Sequence, residues 1–220
     1  MLPIKETGLV ALVHLLIDLQ DDVLLEPILQ ILFNISQFSA LNSQLKNIVL
    51  SNALDPIIRL LAGTFPPVQA LALKLCASLA DHQDFQTALR DNGAISEIIS
   101  VISAQNSNLS SALNLVRKIC ELNQANSLAV IEIGGRRFSE MYCTNFCLGL
   151  VMLLDLLQSP NEEIQTETLS CLAILCYYPK VIEAIPSPDN LVTVTILRNT
   201  PYLPLQGPLH HGNVSKHSNR

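Results

Sequence analysis

The chain has 220 residues, 49% of them apolar, 15% charged and 5% aromatic, a greasy, aliphatic balance unlike that of a disordered segment. Thirteen Lys and Arg against nineteen Asp and Glu leave a formal charge of −6 with no block of like charge, which argues against a protein that grips nucleic acid through its phosphates. The longest apolar stretch, Phe146 to Leu157, contains Asp155 and at about twelve residues falls short of the roughly 20 needed to cross a bilayer, so no membrane role is expected.

The N-terminal segment carries Glu6 and lacks a small-residue cleavage site, so no signal peptide is expected. Cys76, Cys120, Cys171 and Cys176 lie inside apolar helical runs, where a reduced thiol behaves as a small hydrophobe; that usage points to the cytoplasm or the nucleus.

Along the chain, one pattern recurs: an aliphatic residue four positions before a small one. It appears at Ile4 and Gly8, Val49 and Ala53, Leu89 and Gly93, and Val130 and Gly134, so the small residues stand 45, 40 and 41 positions apart. After the first three comes a short amphipathic run: LVALVHLLI from Leu9, LDPIIRLLA from Leu54 and AISEIISVIS from Ala94. Each has aliphatic residues at helical spacing. A polar break follows every run, and then a longer helical segment: VLLEPILQILFNISQF, VQALALKLCASLAD and LSSALNLVRKICELN. Pro66 and Pro67 suit a helix start, where a missing N–H costs little. The small residue lets the chain turn between a first and a second helix.

The fourth unit is interrupted. After Gly134 the expected LVMLLDLL begins only at Leu150, and removing about 14 residues restores the repeat step, so an insertion near residues 136–149 is expected at this hinge. It carries Phe138, Met141, Tyr142 and Phe146, side chains expected to pack or attract. The pattern resumes through a Ser159-Pro160-Asn161 turn into EEIQTETLSCLAILCYY, with Glu162 and Glu163 placed well for a helix N-terminus. From Pro186 the composition shifts to five of the chain's twelve prolines with His210, His211 and His217, and a disordered tail over residues 186–220 is expected.

First helix, small hinge residue, second helix and a longer third helix over 40 to 45 residues resembles the armadillo repeat. The resemblance covers roughly residues 4 to 185 and implies an all-α solenoid, a right-handed superhelix of stacked three-helix units used for binding proteins. The expected units are residues 1–38, 39–81, 82–123 and 124–177, with a partial fifth at 178–185. Neither end shows the polar cap that a repeat array needs, so the ends are expected to offer a surface for association. A fragment or alternative product of a longer armadillo protein, such as one with both ankyrin and armadillo repeats, is the corresponding expectation for the chain's origin.

In peptide-gripping members of that family an Asn recurs on the third helix. Counting about 25 residues from each hinge gives Asn34, Ser78, Lys118 and, past the insertion, Ile174, so the Asn is kept once. Residues one turn apart on the third helices are the candidates for partner contact: Gln30 with Asn34, Lys74 with Ser78, and Asn114 with Lys118. The two lysines would favour an acidic partner segment.

Catalytic constellations are missing: no Gly-rich phosphate loop, no HExxH, no GxSxG. His14 sits in an amphipathic run and His82 at a helix end, and both read as structural. Cys143 and Cys147 lie in the insertion without a second ligand pair nearby, so no metal and no cofactor are expected. Arg136 and Arg137 are too few for a nuclear signal or a nucleic-acid patch. The expectation is a non-catalytic scaffold or adaptor that binds protein partners. A purely structural segment of a longer repeat protein, or an accessory subunit of an enzyme, remains as the alternative.

Overall fold

The computed structural model describes residues 4–19, 21–133 and 148–183, and every element among them is an α-helix. They are α1 (Ile4–Asp18), α2 (Asp22–Ser36), α3 (Ser39–Asn52), α4 (Leu54–Leu61), α5 (Pro66–Leu79), α6 (Gln83–Asp91), α7 (Ala94–Ala104), α8 (Leu109–Cys120), α9 (Gln124–Glu132), α10 (Leu148–Leu156), α11 (Glu162–Leu175) and α12 (Pro179–Glu183). From α3 onward they fall into triplets of first, second and third helices: α3–α5, α6–α8 and α9–α11. The first unit is α1 and α2, and α12 begins a further one. No described helix is long and apolar enough to cross a membrane.

Local chemistry accounts for the boundaries. The Asp21 carboxylate accepts from the Val23 backbone N–H at 2.9 Å, and the Asn161 side chain accepts from Glu163 N–H at 2.9 Å, so both third helices begin on side-chain caps that satisfy otherwise orphaned donors. Proline fills the first turn of α5, where no intrahelical partner for its nitrogen is lost. At Gly93 the chain takes φ +79°, a left-handed conformation that favours glycine and turns α6 into α7. Ala53 makes the corresponding turn from α3 to α4 at φ −129° and ψ 11°.

At Gly8 the expected hinge is absent. α1 runs unbroken through it, and no atom lies within 4 Å of where its Cβ would be. With open space beside Gly8, no contact on that side offsets the loss of helical hydrogen bonds that a bend would bring. Gly134, most of the expected insertion, its aromatic residues, Arg136, Arg137, Cys143 and Cys147, and the expected tail lie outside the described residues. α10 starts at Leu148, two residues ahead of the run read from Leu150.

Third helices stack on one another in chain order, α2 on α5, α5 on α8 and α8 on α11. Second helices α4, α7 and α10 pack against the third helices of their own units. A single continuous apolar cluster results, running from Val13 and Leu29 through Leu73, Leu75, Ile98, Leu113 and Leu115 to Leu172 and Val181. Such packing makes each unit depend on its neighbours rather than on a central core.

Candidate functional site

Three side-chain amides tie the units together before any surface is presented. Asn42 on α3 donates to the backbone carbonyls of Ser36 (2.7 Å) and Ser78 (3.1 Å). Gln86 on α6 donates to Ala80 O (2.8 Å) and Lys118 O (3.1 Å), and Asn126 on α9 to Ile119 O (2.8 Å) and Gln86 O (3.0 Å). Each first helix thereby satisfies carbonyls at the C-terminal end of the third helix before it; Asn42 and Gln86 also reach the third helix of their own unit, and Asn126 the first helix of the unit before. Among the described residues no buried side-chain nitrogen or oxygen lacks a partner, as the cost of burying an unpaired polar group requires.

With the stack held in register, its third helices present the six residues singled out from the sequence. Gln30 and Asn34 on α2 are exposed and paired, the Gln30 amide donating to Asn34 Oδ1 at 2.8 Å. Lys74 on α5 is exposed and makes no hydrogen bond or ion pair among the described residues. Asn114 on α8 accepts from Arg117 Nη2 at 2.8 Å.

The remaining two are committed to the scaffold. Ser78 Oγ accepts from Ser36 Oγ at 2.8 Å and from Gln37 Nε2 at 3.2 Å, a strut between α2 and α5. Lys118 Nζ is paired with Asp81 Oδ1 at 2.5 Å, across the junction of the second and third units. Asp81 thus neutralises one of the two lysines, while Arg117, half-buried on α8, bonds Asn114 and makes no ion pair among the described residues.

Sequence reading missed Arg117, Asp81 and the amides at Asn42, Gln86 and Asn126. A signal for the amides existed: they stand 44 and 40 positions apart, within the 40 to 45 range of the small hinge residues. His82 belongs to this layer too, its Nε2 lying 2.9 Å from Asn42 Oδ1; His14 is exposed on α1.

Nothing described here assembles reactive groups. Burial pushes the thiols of Cys76 and Cys120 up to about 12 and that of Cys171 higher still, which keeps them protonated. A shallow open cleft lined by Leu61, Gly63, Thr64, Pro66, Glu97 and Asn106 has Glu97 as its one titratable wall residue. Among the described residues no cluster of His, Cys, Asp and Glu has the spacing to hold a metal ion.

Fold and surface together define an armadillo-like repeat array. No family model and no curated protein matches the sequence, but solved structures share the fold. An engineered protein superposes with a TM-score of 0.70 at 23% identity over 90% of this chain, which spans 45% of that protein's length. A computationally designed armadillo repeat protein for modular peptide recognition gives 0.64 at 21% identity, over 82% of this chain and 72% of that one. A designed armadillo repeat protein in complex with the peptide (KR)4 gives 0.62 at 17% identity, over 88% and 82%.

Proposed function

We infer that the chain is a non-catalytic protein-binding module whose third-helix face receives a partner's extended segment. The observation that carries this reading is the run of polar groups on consecutive, closely stacked third helices: the exposed Gln30 with Asn34, then the exposed Lys74, then the half-buried Asn114 with Arg117. A surface whose shape is set by packing orders a ligand with little reorganisation of its own. Two structural neighbours are designed armadillo proteins, one for modular peptide recognition and one bound to a basic peptide. Of the cations on these third helices, Lys74 and Arg117 make no ion pair among the described residues, and the partner chemistry they favour is acidic. Buried, protonated thiols at Cys76, Cys120 and Cys171 fit a reducing compartment such as the cytoplasm or nucleus.

The test is fluorescence anisotropy with two labelled peptides of equal length, one alternating Glu and Asp, the other Lys and Arg. The acidic peptide is expected to bind in a salt-dependent manner. Lys74→Ala with Lys118→Ala, which removes one free cation and releases Asp81 to repel the ligand, is expected to weaken it by roughly tenfold. Unchanged affinity in the double variant, or binding of the basic peptide alone, would move the site off this face.

A further inference from the structure

α2, α5 and α11 all follow a residue in extended backbone, Asp21, Phe65 and Asn161, with φ between −93° and −89°, so positions along the three helices can be matched by counting from there. The tenth position is Ile31, Leu75 and Cys171. Its direction is fixed by Cys171, whose Sγ donates to Leu113 O on the preceding third helix at 3.1 Å. This edge of each third helix therefore faces the unit before it.

In α5 and α11 that position is 0% and 1% exposed, whereas Ile31 is 45% exposed. The third position repeats the contrast, Val68 at 2% against Leu24 at 49%. Between them, Pro27 is exposed where Leu71 is buried. α2 thus carries the aliphatic edge of an interior third helix, uncovered.

Opposite conditions hold at the other end. The eighth position faces the following unit: Leu29 and Leu73 are 0% exposed, and Leu169 on α11 is 38% exposed. Moreover α11 presents Gln165, Leu169 and Ala173 where α5 presents Gln69, Leu73 and Ala77, the same three residues in the same order. In α5 that edge is covered by α8.

We propose that a second copy of this chain docks on the α2 edge formed by Leu24, Pro27 and Ile31, seating there the α11 edge formed by Leu169 and Ala173. Each edge meets the kind of surface that covers its counterpart inside the array, an aliphatic ridge against a leucine and a small residue. The contact is head to tail, so its two halves differ and each added copy leaves one edge of each kind open. The stack grows without closing, independently of any ligand on the polar face.

Sedimentation velocity on the full chain over a wide concentration range tests this, with far-UV circular dichroism confirming that each variant stays helical. The wild type is expected to grow beyond a dimer as concentration rises. Ile31→Glu and Leu169→Glu each leave one intact edge, and each alone is expected to remain a monomer, with association weakened by an order of magnitude or more. Mixed, they are expected to form a dimer that grows no further, because the intact α11 edge of one meets the intact α2 edge of the other. A wild type that stays monomeric throughout, a dimer that does not extend, or a mixture that stays monomeric overturns the proposal. Should Ile31→Glu lose helicity, Leu24→Lys tests the same edge.

Discussion

The second and fourth units reach the same turn by different routes. In the second, the fourth residue after the α5 cap, Gln69, donates through Nε2 to Leu61 O and Gly63 O, both at 2.9 Å. In the fourth, Gln165 at the matching place donates to Leu157 O at 3.2 Å and Ser159 O at 2.8 Å. The α4-to-α5 and α10-to-α11 corners are alike although the hinge before α10 is lengthened and that before α4 is not. One glutamine closes each corner locally, so a change at the first hinge does not propagate to the second. The third unit has Ala112 four residues after its α8 cap, and the cap itself, Asn108, reaches back to Gln69 Oε1 (2.8 Å) and Pro66 O (3.0 Å).

Entry into the second helix is where the units differ. Unlike α7, which follows the left-handed Gly93, α10 lies so close to α9 that a Cβ on Gly149 would fall 2.0 Å from the Val130 carbonyl oxygen. Only glycine permits that approach without displacing one helix from the other. Loop closure entropy grows slowly with length, so the contact between Gly149 and Val130, rather than the number of residues joining α9 to α10, is expected to set the cost of this junction.

The sharpest way to break the comparison is Gly149→Ala. Overpacking against backbone is expected to cost up to about 3 kcal/mol, seen as a lower urea midpoint, whereas Gly63→Ala, with 3.1 Å to Leu60 O, should cost about 1 kcal/mol or less. Equal, small losses would mean that α9 and α10 separate without penalty. Next come Gln69→Leu and Gln165→Leu, each of which strips a donor from two carbonyls. Gln69 is buried and Gln165 half-buried, so losses of about 2 and about 1 kcal/mol are expected from the same melts; the reverse order would show that the fourth corner leans on its glutamine more heavily.

The smallest effect concerns the Lys46–Asp84 ion pair, which joins the first helices of the second and third units. The hydrogen bond from the Lys46 ammonium holds the Asp84 carboxyl below its usual range, against some desolvation and with help from the Phe85 N–H. A depressed carboxyl stabilises the fold above its unfolded pKa of about 3.9 and loses that contribution as pH falls through the lower folded value. Asp84 is largely exposed, so Asp84→Asn is expected to cost no more than about 0.5 kcal/mol near neutrality. The difference from wild type should vanish in acid urea titrations. A gap that persists under acid would assign the loss to packing.

Much of the architecture was legible because it is periodic. Small residues at Ala53 and Gly93, the aliphatic spacing after them and the prolines opening α5 locate helices and turns without knowledge of their neighbours. Gly8 was misread for the converse reason: its sequence context matches the other hinges, but bending depends on a neighbour to bend against. At the candidate site, sequence spacing put Lys74, Ser78, Asn114 and Lys118 on third helices. Which of them are spent on Ser36, Arg117 and Asp81 depends on partners that are distant along the chain or follow helix geometry.

Residue order by itself determined the helices from α3 onward and the polar positions on α2, α5 and α8, since these follow from backbone propensity and the 3.6-residue period. Tertiary structure alone decided which polar groups remain available and which apolar edges lie open. Ile31 and Leu75 are interchangeable as helix residues, yet one is covered by a neighbouring third helix and the other faces solvent. Burial is a property of what stacks alongside, and in an array held together by nearest neighbours that is settled only when the units meet.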